Sequence, residues 1–278
     1  MKITEVIEKV KAYHPDLGRE TNTDVIKYGD PKQECTGIVV TCFASSDVLR
    51  KAKELGANLV IAHEPLFWTH ADKTDWLEEN PIFHQKKQLL DDGGIVVWRD
   101  HDLIHGPGWG VERKYVDGIF YGIMKELGWE QYVVGSTLKP LLYKIPTTDA
   151  TTLGLELKEK LGLNGIRIVG DPHAEVSTVF VCEHVNERGG GENGDDKIRK
   201  TMEYDADALI PLELIDWTLS AFVRDSTQLG RSRVIYNTGH FNLEELGMKY
   251  LAKCLPDVIG EGIQVTHVPS GDAFDFII

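Results

Sequence analysis

Of the ten histidines in this chain, His63, His101, His105 and His240 each have an acidic residue close by in sequence. Imidazole nitrogens mixed with carboxylate oxygens suit Zn, Mn, Fe, Co or Ni better than Ca or Mg. His63 and Glu64 are adjacent, so within a strand they would point to opposite faces. Pro65 biases Glu64 toward an extended or turn conformation, which lets both side chains reach one cavity. The plainer reading of Glu64 alone is a solvated loop carboxylate. His240 and Glu244 are four apart and would share a helix face. Asn242 followed by Glu245 resembles a capping box, which would leave His240 outside that helix. His101 and His105 are also four apart, but Gly106-Pro107-Gly108 marks their stretch as a loop. Asp102 between them is a ligand, a partner orienting a histidine, or a turn residue.

The elements that position these residues alternate along the chain. Short apolar runs at 37–43, 58–62 and 95–98 predict strands, and the candidate ligands follow the second and third directly. Further strands are expected at 141–145, 166–169, 176–182, 208–211, 234–236 and 264–268. Helical patterns open the chain and recur at 47–55, 81–92, 112–127, 151–161, 213–223 and from the His240 region to 255. Residues 16–35 are polar and turn-rich, and 187–196 (ERGGGENGDD) form a polar glycine-rich loop. The fold class is therefore α/β, with a mostly parallel sheet covered on both faces. The rhythm resets near residue 130, which predicts two interlocked α/β units of similar topology. Residues 1–128 with 226–278 are expected to carry the metal site, and 129–225 the second unit. Ligands in open α/β sheets gather at the carboxyl ends of strands, where three of the predicted strands place histidines.

Composition narrows the function. A net charge of -14 argues against nucleic acid or an anionic membrane as the main partner. It does not oppose a phosphorylated small molecule, because bound metal reverses the local field. The four cysteines are scattered, and Cys42 and Cys182 sit in apolar runs as small buried hydrophobes. The chain opens on an amphipathic helix without a signal-peptide pattern, and no apolar run reaches membrane-spanning length. A reducing cytoplasmic setting is expected. Residues 189–191 lack the GK[ST] ending of a P-loop, and neither GxSxG nor GxGxxG occurs at a useful place. Trp68 and Trp98 lie beside the candidate ligands, where packing is the simpler role and a pocket wall the alternative.

Several segments together resemble the Nif-three-like dinuclear-metal proteins, some of which are named GTP cyclohydrolase I type 2 homologues. Gly29-Asp30-Pro31 precedes the first strand as in that family. GANLVIAHEPLFW (56–68) is similar to its G-A-D-L-[IL]-I-[ST]-H-H-P-L-F-F. VVWRDHDLIHG (96–106) is similar to its strand and H-T-x-L-D, IRIVGDP (166–172) to its mid-chain turn, and NTGHFNLEE (237–245) to its D-x-G-H-x-x-[TS]-E. The resemblance implies paired divalent metals on His63, Glu64, His105, His240 and Glu244, and a homohexameric assembly. Two positions depart from the pattern: Glu64 replaces a histidine and His105 an aspartate. The total of three imidazoles and two carboxylates is preserved, as expected of a remodelled site. After the strand at 176–182 a Gly-Ser-Gly turn is replaced by Glu183-His184-Val185-Asn186, which offers Glu183 and His184 as extra polar groups.

The implied chemistry is metal-assisted hydrolysis of a small, phosphorylated or nucleotide-like molecule, in which two cations activate a shared water and polarise the bond to be broken. His101 and Asp102 are the expected proton shuttle or orienting groups. The rival class is a non-enzymatic metal carrier or metal-responsive regulator. No guanine-reading motif accompanies the resemblance.

Overall fold

The computed structural model describes residues 1–14, 21–106, 116–185 and 192–277. In chain order its first elements are α1 (Ile3–Tyr13), β1 (Ile26–Tyr28), β2 (Ile38–Thr41), α2 (Ser46–Glu54), β3 (Leu59–Ala62), α3 (Pro81–Gly93), β4 (Val96–Arg99), α4 (Asp102–His105) and α5 (Gly118–Leu127). There follow β5 (Leu142–Asp149), α6 (Ala150–Leu161), β6 (Arg167–Gly170), β7 (Glu175–Val181) and α7 (Glu192–Glu203). The last are β8 (Ala208–Ile210), α8 (Leu219–Gln228), β9 (Val234–Asn237), α9 (His240–Ile259) and β10 (Val265–His267). The chain divides into two compact units, Met1–Ile123 with Glu245–Ser270, and Met124–Glu244 with Gly271–Ile278. The fold is α/β, with two five-stranded sheets among the described residues.

In the first unit the strand order is β1-β4-β3-β2-β10. Strands β10, β2, β3 and β4 run parallel, and β1 lies antiparallel on the edge. Every residue of β2, β3 and β4 is buried, which is why they are unbroken apolar runs rather than alternating ones. Val39, Val60 and Val97 stand in register and enter one cluster with Val48, Leu49, Phe83 and Leu90. Each such side chain contributes about 1.5–3 kcal/mol by leaving water. The register also aligns Thr41, Ala62 and Arg99 as the last residues of their strands. The next residues, Cys42, His63 and Asp100, therefore leave the sheet at one edge.

Helices α5 and α9 meet through Gly122 and Gly247. A Cβ on Gly122 would lie 2.7 Å from the Gly247 Cα, and one on Gly247 equally close to the Ile119 Cα. Only glycine permits that backbone approach.

The second unit has the order β5-β7-β8-β9-β6. Strands β7, β8 and β9 are parallel, and β5 and β6 close the two edges antiparallel. Phe180, Leu209, Leu219, Val223 and Ile235 form its core cluster.

Several local expectations need correction. The turn-rich stretch 16–35 contains β1, too short to show periodicity. The loop expected at 187–196 is helical from Glu192, the start of α7; residues 187–191 lie outside the described residues, as do 112–115 of the expected 112–127 helix. The helix expected at 213–223 begins at Leu219 instead, because Thr218 takes a left-handed backbone (φ 51°). The helix after β9 starts at His240 and runs through Pro256 to Ile259. Glu245 forms no capping box with Asn242. Its carboxylate accepts instead from the Cys42 and Ser270 backbone amides and the Ser270 hydroxyl, and bonds His267. No helix among the described residues is long and apolar enough to cross a membrane.

Candidate functional site

At the carboxyl edge of the first sheet, His63, His101 and His105 offer ring nitrogens within 4.8 Å of one another. The His63 and His101 rings stack with centroids 4.6 Å apart, and His105 lies 4.9 Å from His63 and 5.2 Å from His101. Each ring is held at Nδ1 by an oxygen. His63 Nδ1 donates to the Asp100 carbonyl at 3.0 Å, His101 Nδ1 to Asp102 Oδ1 at 2.9 Å, and His105 Nδ1 to Asp117 Oδ2 at 3.1 Å. Carbonyl and carboxylate oxygens only accept, so in each neutral ring the proton sits on Nδ1 and the lone pair on Nε2. Metal-binding histidines are oriented in this way by their outer partners. Burial, then the neighbouring His63 and His105 rings, push His101 down to about 3. It is therefore a neutral imidazole at ordinary pH, the form that ligates metal.

Four groups hold this cluster in place. The buried Asp24 carboxylate accepts from the backbone amides of His101, Asp102 and Leu103 at 2.7, 3.2 and 3.1 Å. It acts as the N-cap of α4, which turns the expected loop at 101–105 into one helical turn. Asp117 caps α5 through Ile119 and Phe120 while holding His105. His14 Nε2 meets Asp100 Oδ2 at 3.2 Å, both side chains fully buried. Arg99, also fully buried, donates from Nε to the His63 carbonyl at 2.9 Å and from Nη1 to the His70 carbonyl at 2.8 Å. Its Nη2 lies 3.4 Å from Glu64 Oε2. Glu64 is thus a buried, charge-paired carboxylate, not the solvated loop residue its sequence position suggests.

The second unit repeats the placement at the carboxyl ends of β7, β8 and β9, which are followed by His184, Glu213 and His240. Their ligand atoms also lie within 4.8 Å of one another. His184 Nδ1 donates to Glu213 Oε1 at 2.8 Å, and His240 Nδ1 is 3.4 Å from Glu213 Oε2. Burial would raise the Glu213 carboxyl, but hydrogen bonds from His184 and His240 outweigh it and hold it at about 2. His240 Nε2 lies 3.0 Å from Glu244 Oε2, one turn along α9. His240 thus has a carboxylate beside each of its ring nitrogens.

Of the residues singled out from sequence, His63, His101 and His105 come together in the first unit, with Glu64 and Asp102 beside them. His240 and Glu244 form a contacting pair in the second. Asp102 orients His101. His184 joins Glu213, while Glu183 pairs with Lys139 and Lys197. Trp98 is fully buried in β4, and Trp68 is exposed; Cys42 and Cys182 are buried and neither is in a disulfide. Sequence reasoning missed Asp24, Arg99, Asp117 and Glu213. Asp117 and Glu213 left no motif, while Arg99 and Asp24 become functional only through bonds to distant backbone.

Residues 1–97 match the model of the family described as Duf34/NIF3 (NGG1p interacting factor 3). The chain is 23% identical over 281 residues to a Clostridium perfringens protein named GTP cyclohydrolase 1 type 2 homolog, with 100% of both chains covered. A Lactococcus lactis protein of the same name is 24% identical over 76% of this chain and 77% of its own length. Among solved structures, a Bacillus cereus protein related to NIF3 superposes with a TM-score of 0.71 at 13% identity, covering 100% of this chain and 99% of that one. A Staphylococcus aureus hypothetical protein does so with a TM-score of 0.69 at 15% identity and the same coverage.

Proposed function

Because this chain carries Duf34/NIF3 sequence in residues 1–97 and a NIF3-like fold along its length, we propose that it binds divalent transition metal and uses it to hydrolyse a small molecule. The observation that supports this best is the trio His63, His101 and His105, each with Nδ1 tied to an oxygen. The proposed ligands are His63, Glu64 and His105, joined by His101, with His240 and Glu244 as the further pair. Three imidazoles and a charge-paired carboxylate form a donor set suited to Zn, Mn, Fe, Co or Ni. Bound metal supplies Lewis acidity and makes a nucleophile from water near neutral pH.

The chain's own groups have separate tasks. Asp102 and Asp117 hold the His101 and His105 rings, and Arg99 neutralises Glu64 where solvent does not. Glu213 and Glu244 hold the His240 ring between them, one at each nitrogen. A cargo site would need exposed, exchangeable ligands, whereas His63 is fully buried and Glu64 nearly so. That favours a resident metal and an enzyme over a carrier.

Elemental analysis of untagged protein, with Glu64→Ala and His105→Ala in parallel, tests the reading. About two equivalents per chain, falling in both variants, is the expected result. One equivalent insensitive to either change would remove the two-metal proposal, and no metal after reconstitution would remove the metal reading itself.

A further inference from the structure

The second unit contains a cavity of about 590 Å³, within the range that holds small organic ligands. It opens at the carboxyl edge of its parallel strands, because the residues after β8 and β9 line it. Arg167 joins them, since β6 runs antiparallel to β9 and pairs Arg167 with Asn237. One wall is apolar and includes Leu212, Leu214, Phe274 and Phe276. Phe274 and Phe276 are 58% and 43% exposed, more than aromatic rings normally leave to water. The Phe276 ring is seated against Gly165, where a Cβ would come within 2.5 Å of it.

The polar wall is asymmetric. Its acids are already engaged: Glu213 by His184 and His240, and Asp272 and Asp275 by the amide and side chain of Asn164. Its donors are not. The Thr238 hydroxyl is buried and has no hydrogen-bond partner among the described residues, which costs free energy unless something else fills that role. Arg167 on the same wall makes no ion pair with any described residue. Thr238, Gly239 and His240 are also the entry to α9, a twenty-residue helix, and helix N-termini favour negative charge.

We propose that this cavity is a binding site for a small anion with a flat aromatic body. The phosphate or carboxylate head meets Arg167, Thr238 and the α9 N-terminus, and the ring lies against Phe274 and Phe276. The inference rests on the metal reading in one respect only: His240 on the cavity wall places the bond to be hydrolysed at that end.

The test is calorimetric titration of full-length protein freed of metal with EDTA, using phenyl phosphate and benzoate as probes and inorganic phosphate and phenol as controls. At least one aromatic anion should bind about ten-fold or more tightly than both controls. Arg167→Ala and Thr238→Val should each weaken it by about ten-fold, as loss of a hydrogen bond to a charged group does. The far-UV spectrum and metal content of Arg167→Ala, an exposed position, should match the parent protein. Binding of neither probe, equal binding of inorganic phosphate, or indifference to both Arg167→Ala and Thr238→Val would overturn the proposal. Because the titrations are run without metal, these outcomes are separate from failure of the metal reading.

Discussion

The ring of His63 donates from Nδ1 to the main-chain oxygen of Asp100 across 3.0 Å, and this bond joins the residues that leave β3 and β4. A backbone acceptor cannot be lost by side-chain substitution, so the register of the sheet itself presents the His63 Nε2 lone pair. The strands thus set the chemistry as well as the position of this ring.

Metal should therefore stabilise the folded chain. Adding Zn or Mn to EDTA-treated protein is expected to raise its urea midpoint, by about 4 kcal/mol at a thousand-fold excess over Kd. His63→Ala should abolish most of the rise. A rise of equal size in that variant would place the metal elsewhere.

Glu64 and His105 should fail differently. Glu64→Gln leaves the buried Arg99 guanidinium without its carboxylate, which costs on the order of 3 kcal/mol even in chelator. His105→Ala, at a partly exposed ring, should lower the midpoint mainly when metal is present. Urea unfolding of both variants with and without EDTA separates the two effects.

Asp24→Ala removes the acceptor of three backbone amides around α4. A loss of about 1–3 kcal/mol is expected, together with weaker metal binding, because His101 and His105 sit on that turn. A stability loss with unchanged metal affinity would show that α4 holds its shape without the cap.

Lys86 predicts a rise of stability with pH. It is buried, donates from Nζ to the Leu66 carbonyl at 2.7 Å and lies 4.6 Å above the Phe43 ring. Burial pulls it from 10.5 down to about 8, with Asp72 opposing the shift. Between those values the unfolded chain holds the proton and the folded chain does not, so stability increases as pH rises through the window. The gain is on the order of 3 kcal/mol, and Lys86→Met should lack it in urea midpoints measured across that range.

Gly247→Ala should be severe for its size. The added methyl meets the Ile119 backbone, which cannot rotate away, and overpacking of this kind costs about 1–3 kcal/mol. Thermal unfolding of Gly247→Ala beside an exposed control such as Gly260, whose own Cβ would meet nothing within 4 Å, isolates the packing effect. Because Gly260 has a positive φ, Asn is the appropriate replacement there.

The buried strands β2, β3 and β4 were legible as apolar runs, and their ends as places for histidine, because strand periodicity and burial on both faces leave local marks. Helices α2, α3 and α6 carried their own caps, at Ser45, Asn80 and Asp149. The grouping of His63, His101 and His105 followed from parallel strand order, which alternating strands and helices already imply. Tertiary structure decided the rest. The turn at α4 depends on Asp24, 77 residues from the amide of His101. Glu245 was drawn from its expected cap by Cys42, 203 residues away. The tautomers of the His63, His101 and His105 rings depend on which oxygen each Nδ1 meets, and Glu213 matters only because β7, β8 and β9 bring His184 and His240 to it. Local propensity acts over one or two turns, whereas these bonds join groups made neighbours only by sheet register and chain crossing.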